Sequence, residues 1–384
     1  DGFSGREFSN VEIRGKDSIF VFVEATLPPS QADLPIEINA YIDFTTNGVS
    51  QSVVLSAFGQ DVIRLRGQII ETDTNFDSAR PYQVFDSLIV APGATLTLAE
   101  GTRLLFHDGA YMAVDGRLVT RGTPDNPVTL AGDRTGNVVS NISFDLMSRQ
   151  WQGIIFSSGS TGNDLSNTVI KNTVYGVTVD GTDAAPGETS LAMLNCRLRN
   201  SGNAVLTAIH ADIDAAGCEF AEGGGGLVFL QGGSHSFNHC TFANYYLFSA
   251  ISGPAIAFSH IDVESDDLSD KPYLRAVIDN SIIYGLGAEL SHDDLTGTDV
   301  YLRNCLLKSK GSDDDNFIGC IWSEDPLYYT VRSEYLFDYR IRQDSPAIGA
   351  ADPELTSQRA ATDGYGLQRG AQPDLGAYVY LPAE

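Results

Sequence analysis

A short apolar unit recurs along the middle of the chain, and it constrains the fold more than any other feature of the sequence. Each unit has a small or apolar residue, a variable residue and a bulky apolar residue, which is the alternation of a β-strand. Three successive units start 22 residues apart, at positions 196, 218 and 240. Repeats of this length are typical of solenoids and propellers. The units begin at Thr168, Cys196, Cys218, Cys240, Ser281 and Cys305.

Residues that favour a left-handed bend flank these units at fixed offsets. Asparagine and glycine tolerate that conformation best, and one bend per repeat would turn the chain through a coil. Coils that stack strand on strand, at about 4.8 Å, make a parallel β-helix. Directly before the units stand Asn167, Asn195, Asn280 and Asn304, with Gly217 and His239 as exceptions; four positions after the start stand Asn172, Asn200, Asn244 and Gly285.

Four of the five cysteines occupy the inward position of the repeated unit. They are Cys196, Cys218, Cys240 and Cys305, and only Cys320 lies outside the pattern. We therefore predict small buried hydrophobic side chains at these positions. The alternative is a metal cluster, which needs convergent thiolates at short spacing.

The strongly acidic composition limits the partners. The formal net charge is −26, from 50 acidic and 24 basic residues. A nucleic-acid partner is excluded because it needs a basic footprint. Unaided binding of a polyanionic glycan is disfavoured, because the field of the protein repels it unless a divalent cation bridges the two. No apolar run of about 18 residues predicts a transmembrane segment.

The first 62 residues differ from the repeat region. Short β-type runs at 11–13, 19–23, 36–38, 41–44 and 52–55 are interrupted by Pro28-Pro29 and by the hairpin signal Asn47-Gly48. They predict part of an antiparallel sandwich-like module. The predicted organisation is a partial sandwich at 1–62, an unassigned connector at 63–81, the β-helix at 82–322 and a capping segment at 323–384.

The segment from 91 to 130 carries the first of two resemblances. Its run of PGATLTL, then GT, GRL, a second GT and PVTL resembles the opening coils of many bacterial right-handed parallel β-helix proteins. The resemblance implies a fold but gives no information about activity. The predicted fold is therefore all-β: a right-handed parallel β-helix with a small N-terminal antiparallel sandwich-like module and a C-terminal cap.

The tail from 324 to 380 carries the second resemblance. Its motifs DSPAIGAADP, Asp363-Gly364, Arg369 and PDLGAY resemble the closing segment of Bacteroidetes surface β-helix proteins, which often bear a "choice-of-anchor" label. Val379 departs from that pattern, where the family usually carries Glu. The resemblance implies an exported cell-surface or outer-membrane protein, lipid-anchored through a part outside this sequence. Physically, we expect the segment to cap the last open coil.

Aromatic residues offer candidate sugar-stacking platforms. Trp151 opens a strand and Tyr245-Tyr246 follows Asn244. Aromatic side chains have an apolar body, so each of these residues has packing inside the coil as its alternative role.

Three acidic loops follow successive repeats, at 264–270, 291–294 and 312–315. Oxygen ligands from several loops suit Ca²⁺, although no loop has the spacing of a helix–loop–helix calcium site. The alternative is a solvated acidic rim. The candidate ligands are Asp266, Asp267, Asp293, Asp294, Asp313, Asp314 and Asp315.

Catalysis is the second class of function to weigh, because relatives with this fold include polysaccharide lyases and hydrolases. A lyase needs a base beside an acidic sugar, aided by Ca²⁺. The residues near the acidic loops that could serve are Lys271, Arg275, His292 and Lys308. A serine protease of the immunoglobulin-cleaving type is disfavoured, since residues 157–161 read SSGST and no GDSGS is present. The first hypothesis is a surface protein that binds a glycan or protein partner along the solenoid; the alternative is a Ca²⁺-dependent polysaccharide lyase or related glycan enzyme.

Overall fold

The computed structural model describes residues 5–24, 36–77, 80–139, 142–185, 187–260, 273–292 and 295–382. The chain divides into two compact units, Asp1–Gln60 and Asp61–Glu384.

The N-terminal unit contains an antiparallel hairpin. Its strands, Ile36–Thr46 and Val49–Gly59, pair in continuous register. The turn is Asn47-Gly48, with φ of 51° and 81°, the left-handed pair that such a tight turn requires. The hairpin prediction is confirmed.

The two earlier runs, at 11–13 and 19–23, form no strand, so that part of the prediction is wrong. Phe20 and Phe22 are 90% and 96% exposed. Alternation stabilises a strand only when one face is buried against another layer. Within the described residues of this unit, the sandwich is reduced to one exposed hairpin.

The second unit is a parallel β-helix, as predicted. An 18-stranded sheet and a 10-stranded sheet form three outer faces, here named sheets A, B and C, which the chain visits in turn. Sheet A comprises Arg103–Phe106, Val128–Gly132, Thr168–Lys171, Arg197–Ser201, Glu219–Gly223, Thr241–Asn244, Ile282–Gly285, Leu306–Leu307 and Ile321–Trp322. Sheet B comprises Tyr111–Val114, Gly153–Phe156, Val177–Asp180, Leu206–Ile209, Val228–Gln231, Ile256–Ser259 and Leu290–His292. Sheet C comprises Thr74–Phe76, Thr95–Leu98, Arg117–Thr120, Asn163–Ser166, Leu191–Leu194, Asp212–Ala216, Gly233–Asn238, Leu274–Asp279, Asp299–Arg303 and Phe317–Ile318.

Two long strands begin the solenoid and belong to both sheet A and sheet B. Ile63–Ile70 pairs with Tyr82–Val90 in parallel, with a register shift near Gly67. Gly67 and Asp86 have φ of 56° and 63°, so each strand bends from one face to the next. Residues 63–81, predicted to be an unassigned connector, therefore contribute strands to the first coil.

The interior is a continuous apolar core in which equivalent side chains stack. Phe220 and Phe242 lie on adjacent coils with parallel rings 5.1 Å apart, a contact worth about 0.5–1.5 kcal/mol beyond its buried area. Cys196, Cys218, Cys240 and Cys305 are fully buried and unpaired, which confirms the prediction for these four. Burial raises the pKa of the Cys196, Cys218 and Cys305 thiols well above its ordinary value.

The predicted bends are present except at Asn244, which does not have a positive φ. The residue before each unit has φ between 43° and 64° in every coil, including Gly217 and His239. At the second offset Asn172, Asn200 and Gly285 also have positive φ. In the coil that starts at Cys218, a glutamate, Glu222, adopts this conformation with φ of 49°.

The C-terminal segment covers the outer face of sheet A, and the prediction that it caps the last open coil stays a prediction. Four asparagine side chains donate to its carbonyl groups in reverse coil order. Asn304 Nδ2 contacts Ala350 O at 2.8 Å, Asn280 contacts Asp352 O at 2.9 Å, Asn238 contacts Leu355 O at 2.8 Å, and Asn195 contacts Asp363 O at 3.2 Å. Apolar side chains of the segment pack on Ala221, Ala243, Ile282 and Leu306 of sheet A.

An insertion within an earlier coil also lies over sheet A. It contains the small hairpin Asn137–Val139 and Ile142–Ser143 and the 3₁₀-helix Phe144–Leu146. Asn172 Nδ2 donates to the carbonyl groups of Asp145 and Met147, both at 2.8 Å. The C-terminal segment adds the 3₁₀-helices Arg332–Glu334, Pro353–Leu355 and Gln358–Ala360. In the part of the chain that the structure describes, no helix is long and apolar enough to cross a membrane.

Candidate binding face

Sheet B carries a column of uncharged side chains on its outer surface. The parallel register aligns one outward residue from each of eight successive coils. Each of these side chains is partly or fully exposed, and Ile155 is 48% exposed. We call this set the uncharged column: Ile89, Ala113, Ile155, Thr178, Thr207, Phe229, Ala257 and Ser291.

The strand alternation shows that the side chains of the column point away from the core. The neighbours of Ile155 in its strand, Ile154 and Phe156, are buried in the core, as are Val177 and Val179 beside Thr178. Because successive strand residues point to opposite faces, the intervening side chains point outward. With seven steps of about 4.8 Å, the column is about 34 Å long.

In the seven sheet B strands from Tyr111–Val114 to Leu290–His292, the only charged side chains are Asp180 and His292, and these seven strands contain no Lys or Arg. Carboxylates border the column at the ends of its early strands, near Ala113, Ile155 and Thr178. Thr182 donates to Asp180 Oδ1 from its N–H at 2.9 Å and from its hydroxyl at 2.6 Å. Ser158 Oγ donates to Asp183 Oδ2 at 2.5 Å, and Ser157 donates to Asp115. The border is therefore acidic and rich in hydroxyl groups.

Sheet C has a different outer surface, with charges of both signs. Arg303 makes a two-pronged ion pair with Asp279, with both N–O distances 2.7 Å, and Arg121 Nη1 contacts Asp164 at 2.6 Å. Sheet A is covered by the C-terminal segment and by the insertion. Among the described faces, sheet B is thus the one that combines solvent access with a long uncharged surface.

The residues predicted as catalytic bases lie on separate sheets. Arg275 is on sheet C, in register with Ser234 and Asp299, and His292 ends a sheet B strand. Lys308 follows a sheet A strand, and its Nζ donates to the Gly285 and Gly287 carbonyls, both at 2.8 Å. Lys271 lies outside the described residues. The described candidates form no shared site at which a sugar proton could be removed.

The predicted calcium ligands that the structure describes hold a turn together. Asp313 accepts from Gly319 N at 2.6 Å, Trp322 Nε1 at 3.0 Å and Cys320 N at 3.2 Å. The Trp322 hydrogen bond, followed by these backbone donors, lowers the pKa of Asp313. Asp314 accepts from Asn316 N and Phe317 N, at 2.8 and 3.0 Å, and Asp315 is exposed.

The other four candidate ligands, Asp266, Asp267, Asp293 and Asp294, lie outside the described residues. Across the described ranges, no group of three or more His, Cys, Asp or Glu side chains could hold a metal ion. The calcium hypothesis therefore gains no support from the carboxylates that are described.

Two of the three predicted sugar platforms are interior residues. Trp151 is fully buried, stacks on Phe106 at 4.0 Å and donates from Nε1 to Lys171 O at 2.8 Å. Tyr246 is buried, and its hydroxyl bonds Ser148 Oγ at 2.6 Å. A ring without an exposed face cannot stack on a sugar, so the binding role for these two is wrong. Tyr245 is partly exposed and packs on Tyr339, with the ring centroids 5.9 Å apart.

A buried acidic cluster beneath the C-terminal segment is the other notable group of titratable residues. Glu219 is bound by Arg199, whose Nε donates at 2.8 Å, and by the hydroxyl of Tyr378 at 2.6 Å. Glu222 accepts from the hydroxyl of Tyr339, while its Oε2 is buried without a partner. Burial raises the pKa of Glu222 to about 8, against the opposing effect of Arg199 and with a further rise from Glu219.

Perturbed pKa values are common at active sites, yet this cluster is sealed. Glu219, Glu222, Tyr339 and Tyr378 are all buried, so no substrate reaches the carboxyl groups. We assign the cluster to fixing the C-terminal segment on sheet A.

A shallow depression of about 240 Å³ opens on the C-terminal segment, lined by residues that include Thr356, Gln358 and Arg369. The Arg369 guanidinium donates to the carbonyl groups of Ala360, Asp374, Gly376 and Ala377. Its donors are therefore committed to the fold, and the volume is below the usual range of about 300–1,000 Å³ for small-molecule pockets.

No protein-family model matches this chain, and no curated protein matches it significantly. The case for a function therefore depends on the described surfaces. The uncharged column was missed from the sequence because the repeated unit aligns sheet A. The signal that could have revealed the column is the lack of positive charge at the outward positions of the sheet B strands, which becomes apparent when those strands are aligned with one another.

Proposed function

We propose that this protein binds a glycan along the uncharged column of sheet B, without catalysing a reaction. The observation that supports the proposal is the run of eight uncharged, solvent-accessible side chains in a protein of net charge −26.

The chemistry of the column suits a carbohydrate. Ile155 and Phe229 offer apolar surface to the C–H face of a sugar ring, and Thr178 and Thr207 offer hydroxyl groups to its edges. Binding sites combine apolar walls with a few placed polar groups. A length of about 34 Å accommodates several consecutive sugar units, whose individually weak contacts add.

We also propose that the protein is exported to the cell surface or outer membrane of a Bacteroidetes-type bacterium, held there by a lipid anchor outside this sequence. The support is the resemblance of the 324–380 segment to the closing segment of such proteins. Subcellular fractionation and protease treatment of intact cells test this proposal. Recovery of the protein in the cytoplasmic fraction, with no cleavage by protease added to intact cells, would contradict it.

Binding is tested by screening soluble glycans and measuring affinity by isothermal titration calorimetry. Thr207→Asp places a longer, charged side chain in the middle of the column and should weaken binding at least about tenfold, or about 1.4 kcal/mol, because this side chain would project into the contact surface and lose water there. Phe229→Ala should weaken it by removing apolar contact.

Ser236→Asp is the matched control. Ser236 is an outward residue of sheet C, between Asp214 and Val277 in the register, so this variant carries the same added charge on a different face. Equal losses for Thr207→Asp and Ser236→Asp, or binding by neither the parent protein nor any variant, would contradict the proposal.

A further inference from the structure

The charge of the sheet B strands, and of the border where these strands end, points to the class of glycan. The seven sheet B strands from Tyr111–Val114 to Leu290–His292 hold no Lys or Arg to neutralise a carboxylate or sulfate on the ligand. The border instead presents Asp115, Asp180 and Asp183, and Asp183 is exposed. Beside the coils of Ala113 and Thr178 a polyanion would therefore meet like charges, and the sheet B strands from Tyr111–Val114 to Leu290–His292 hold no compensating cation.

The same carboxylates favour a neutral sugar. An ionised carboxylate is an acceptor with several lone-pair sites, and hydrogen bonds from a hydroxyl group to a charged acceptor are stronger than neutral ones. Asp180 accepts two bonds from Thr182 through one oxygen, Oδ1. Ser157, Ser158 and Thr182 add hydroxyl groups beside these acids.

The shape of the surface sets the direction of the ligand. Across the sheet, each four-residue strand such as Val177–Asp180 turns only two side chains outward, and in that strand the second one is the acid. Along the solenoid axis, the column continues through eight coils without a charge. An extended chain is therefore accommodated along the axis and perpendicular to the strands.

We propose that the ligand of sheet B is a neutral, extended polysaccharide that lies along the uncharged column, with sugar hydroxyl groups donating to the carboxylates of its border. This inference rests on the proposed function. It excludes uronate-containing and sulfated polymers, with or without a divalent cation, as ligands of this face.

The test compares two sets of polymers with the intact protein. The neutral set is a soluble β-glucan, a galactomannan and a xylan; the anionic set is polygalacturonate, alginate and chondroitin sulfate, each with added calcium and with chelator. We expect measurable affinity for at least one neutral polymer, little dependence on salt, and no binding of the anionic set.

Two variants separate this inference from the proposed function. Asp180→Asn with Asp183→Asn removes two of the three border charges and should weaken binding of the neutral ligand about threefold to tenfold, while Asp299→Asn on sheet C should leave it unchanged. Binding of an anionic polymer that Thr207→Asp weakens would overturn the neutral-ligand inference and leave glycan binding intact. Binding of no polymer in either set would overturn both.

Discussion

The hydroxyl of Tyr378 donates a 2.6 Å hydrogen bond to Oε2 of Glu219, joining residues that are 159 positions apart in the sequence. Both residues are buried. Tyr339 makes the equivalent bond to Glu222, three residues further along the same strand. These two contacts connect the C-terminal segment to one strand of sheet A, and they make its docking sensitive to single substitutions and to pH.

Tyr378→Phe keeps the aromatic ring and removes this donor. Glu219 then has one partner fewer in a buried site, so we expect a loss of roughly 1–3 kcal/mol in the free energy of unfolding. Urea denaturation followed by circular dichroism measures it. The control is Tyr365→Phe, since Tyr365 is 45% exposed; similar stabilities for both variants would mean that the Glu219 bond contributes nothing.

Glu222→Gln should flatten the dependence of stability on pH. In the folded protein the pKa of Glu222 is about 8, raised by burial from an ordinary 4.5, so the folded state holds a proton that the unfolded chain releases. The contribution of Glu222 is therefore fully present below about pH 4.5 and declines as pH rises towards 8.

Unfolding free energies at a series of pH values across this window, for the parent protein and Glu222→Gln, test the prediction. The exposed residue Glu188 supplies the control Glu188→Gln. If the parent and Glu222→Gln curves run parallel, Glu222 does not titrate as the geometry requires.

His239→Asn should make the protein more resistant to acid. Burial, with a smaller effect of Arg369, lowers the pKa of His239 from 6.5 to about 2, so the unfolded chain binds a proton that the folded one refuses. Stability from this residue is present above pH 6.5 and is lost as pH falls. At about 1.4 kcal/mol per pH unit, lowering the pH from about 6.5 to 5 costs roughly 2 kcal/mol.

Asparagine is the matched replacement because it occupies the same bend in the coils at Asn195, Asn280 and Asn304. His235 is also buried, with its pKa lowered to about 4, so it should still give part of the acid sensitivity. A loss of stability between neutral and mildly acidic pH that is identical in His239→Asn and in the parent would contradict the assignment.

The reactivity of the thiols should show whether the core of the coil is closed to solvent. Cys196, Cys218, Cys240 and Cys305 are fully buried, and only the thiolate of a cysteine reacts readily. We expect a thiol reagent to label Cys320 alone in the folded protein, and all five in denaturant. Cys320→Ser should abolish the native signal; labelling of Cys218 without unfolding would show that the stack is open.

The sequence predicted best what repeats. The bends at Asn195 and Asn280 follow from the preference of asparagine for a left-handed backbone, and the burial of Cys218 follows from strand alternation. Both patterns recur in each coil. Residues 19–23 have the same alternation, but no neighbouring layer buries it, so no strand forms. The first coil was missed because Gly67 and Asp86 bend its strands where no earlier unit sets the pattern.

The contacts between distant segments could not be predicted. The amide of Asn195 donates to Asp363 O across 168 residues, and nothing near Asn195 distinguishes it from a residue that only makes a bend. The uncharged column also lacks a motif, since Ile155, Thr178 and Phe229 share only the absence of charge. Such a surface becomes visible when the register is known.

The reverse-order bonding of the C-terminal segment has a consequence for how this protein can evolve. Solenoids commonly lengthen by duplicating a repeat, but here Asn195, Asn238, Asn280 and Asn304 each meet a particular carbonyl in one continuous segment. A coil gained or lost between them would misalign every later partner at once. We therefore expect changes in solenoid length in the coils that precede Asn195, because the asparagine bonds to this segment begin only at that residue.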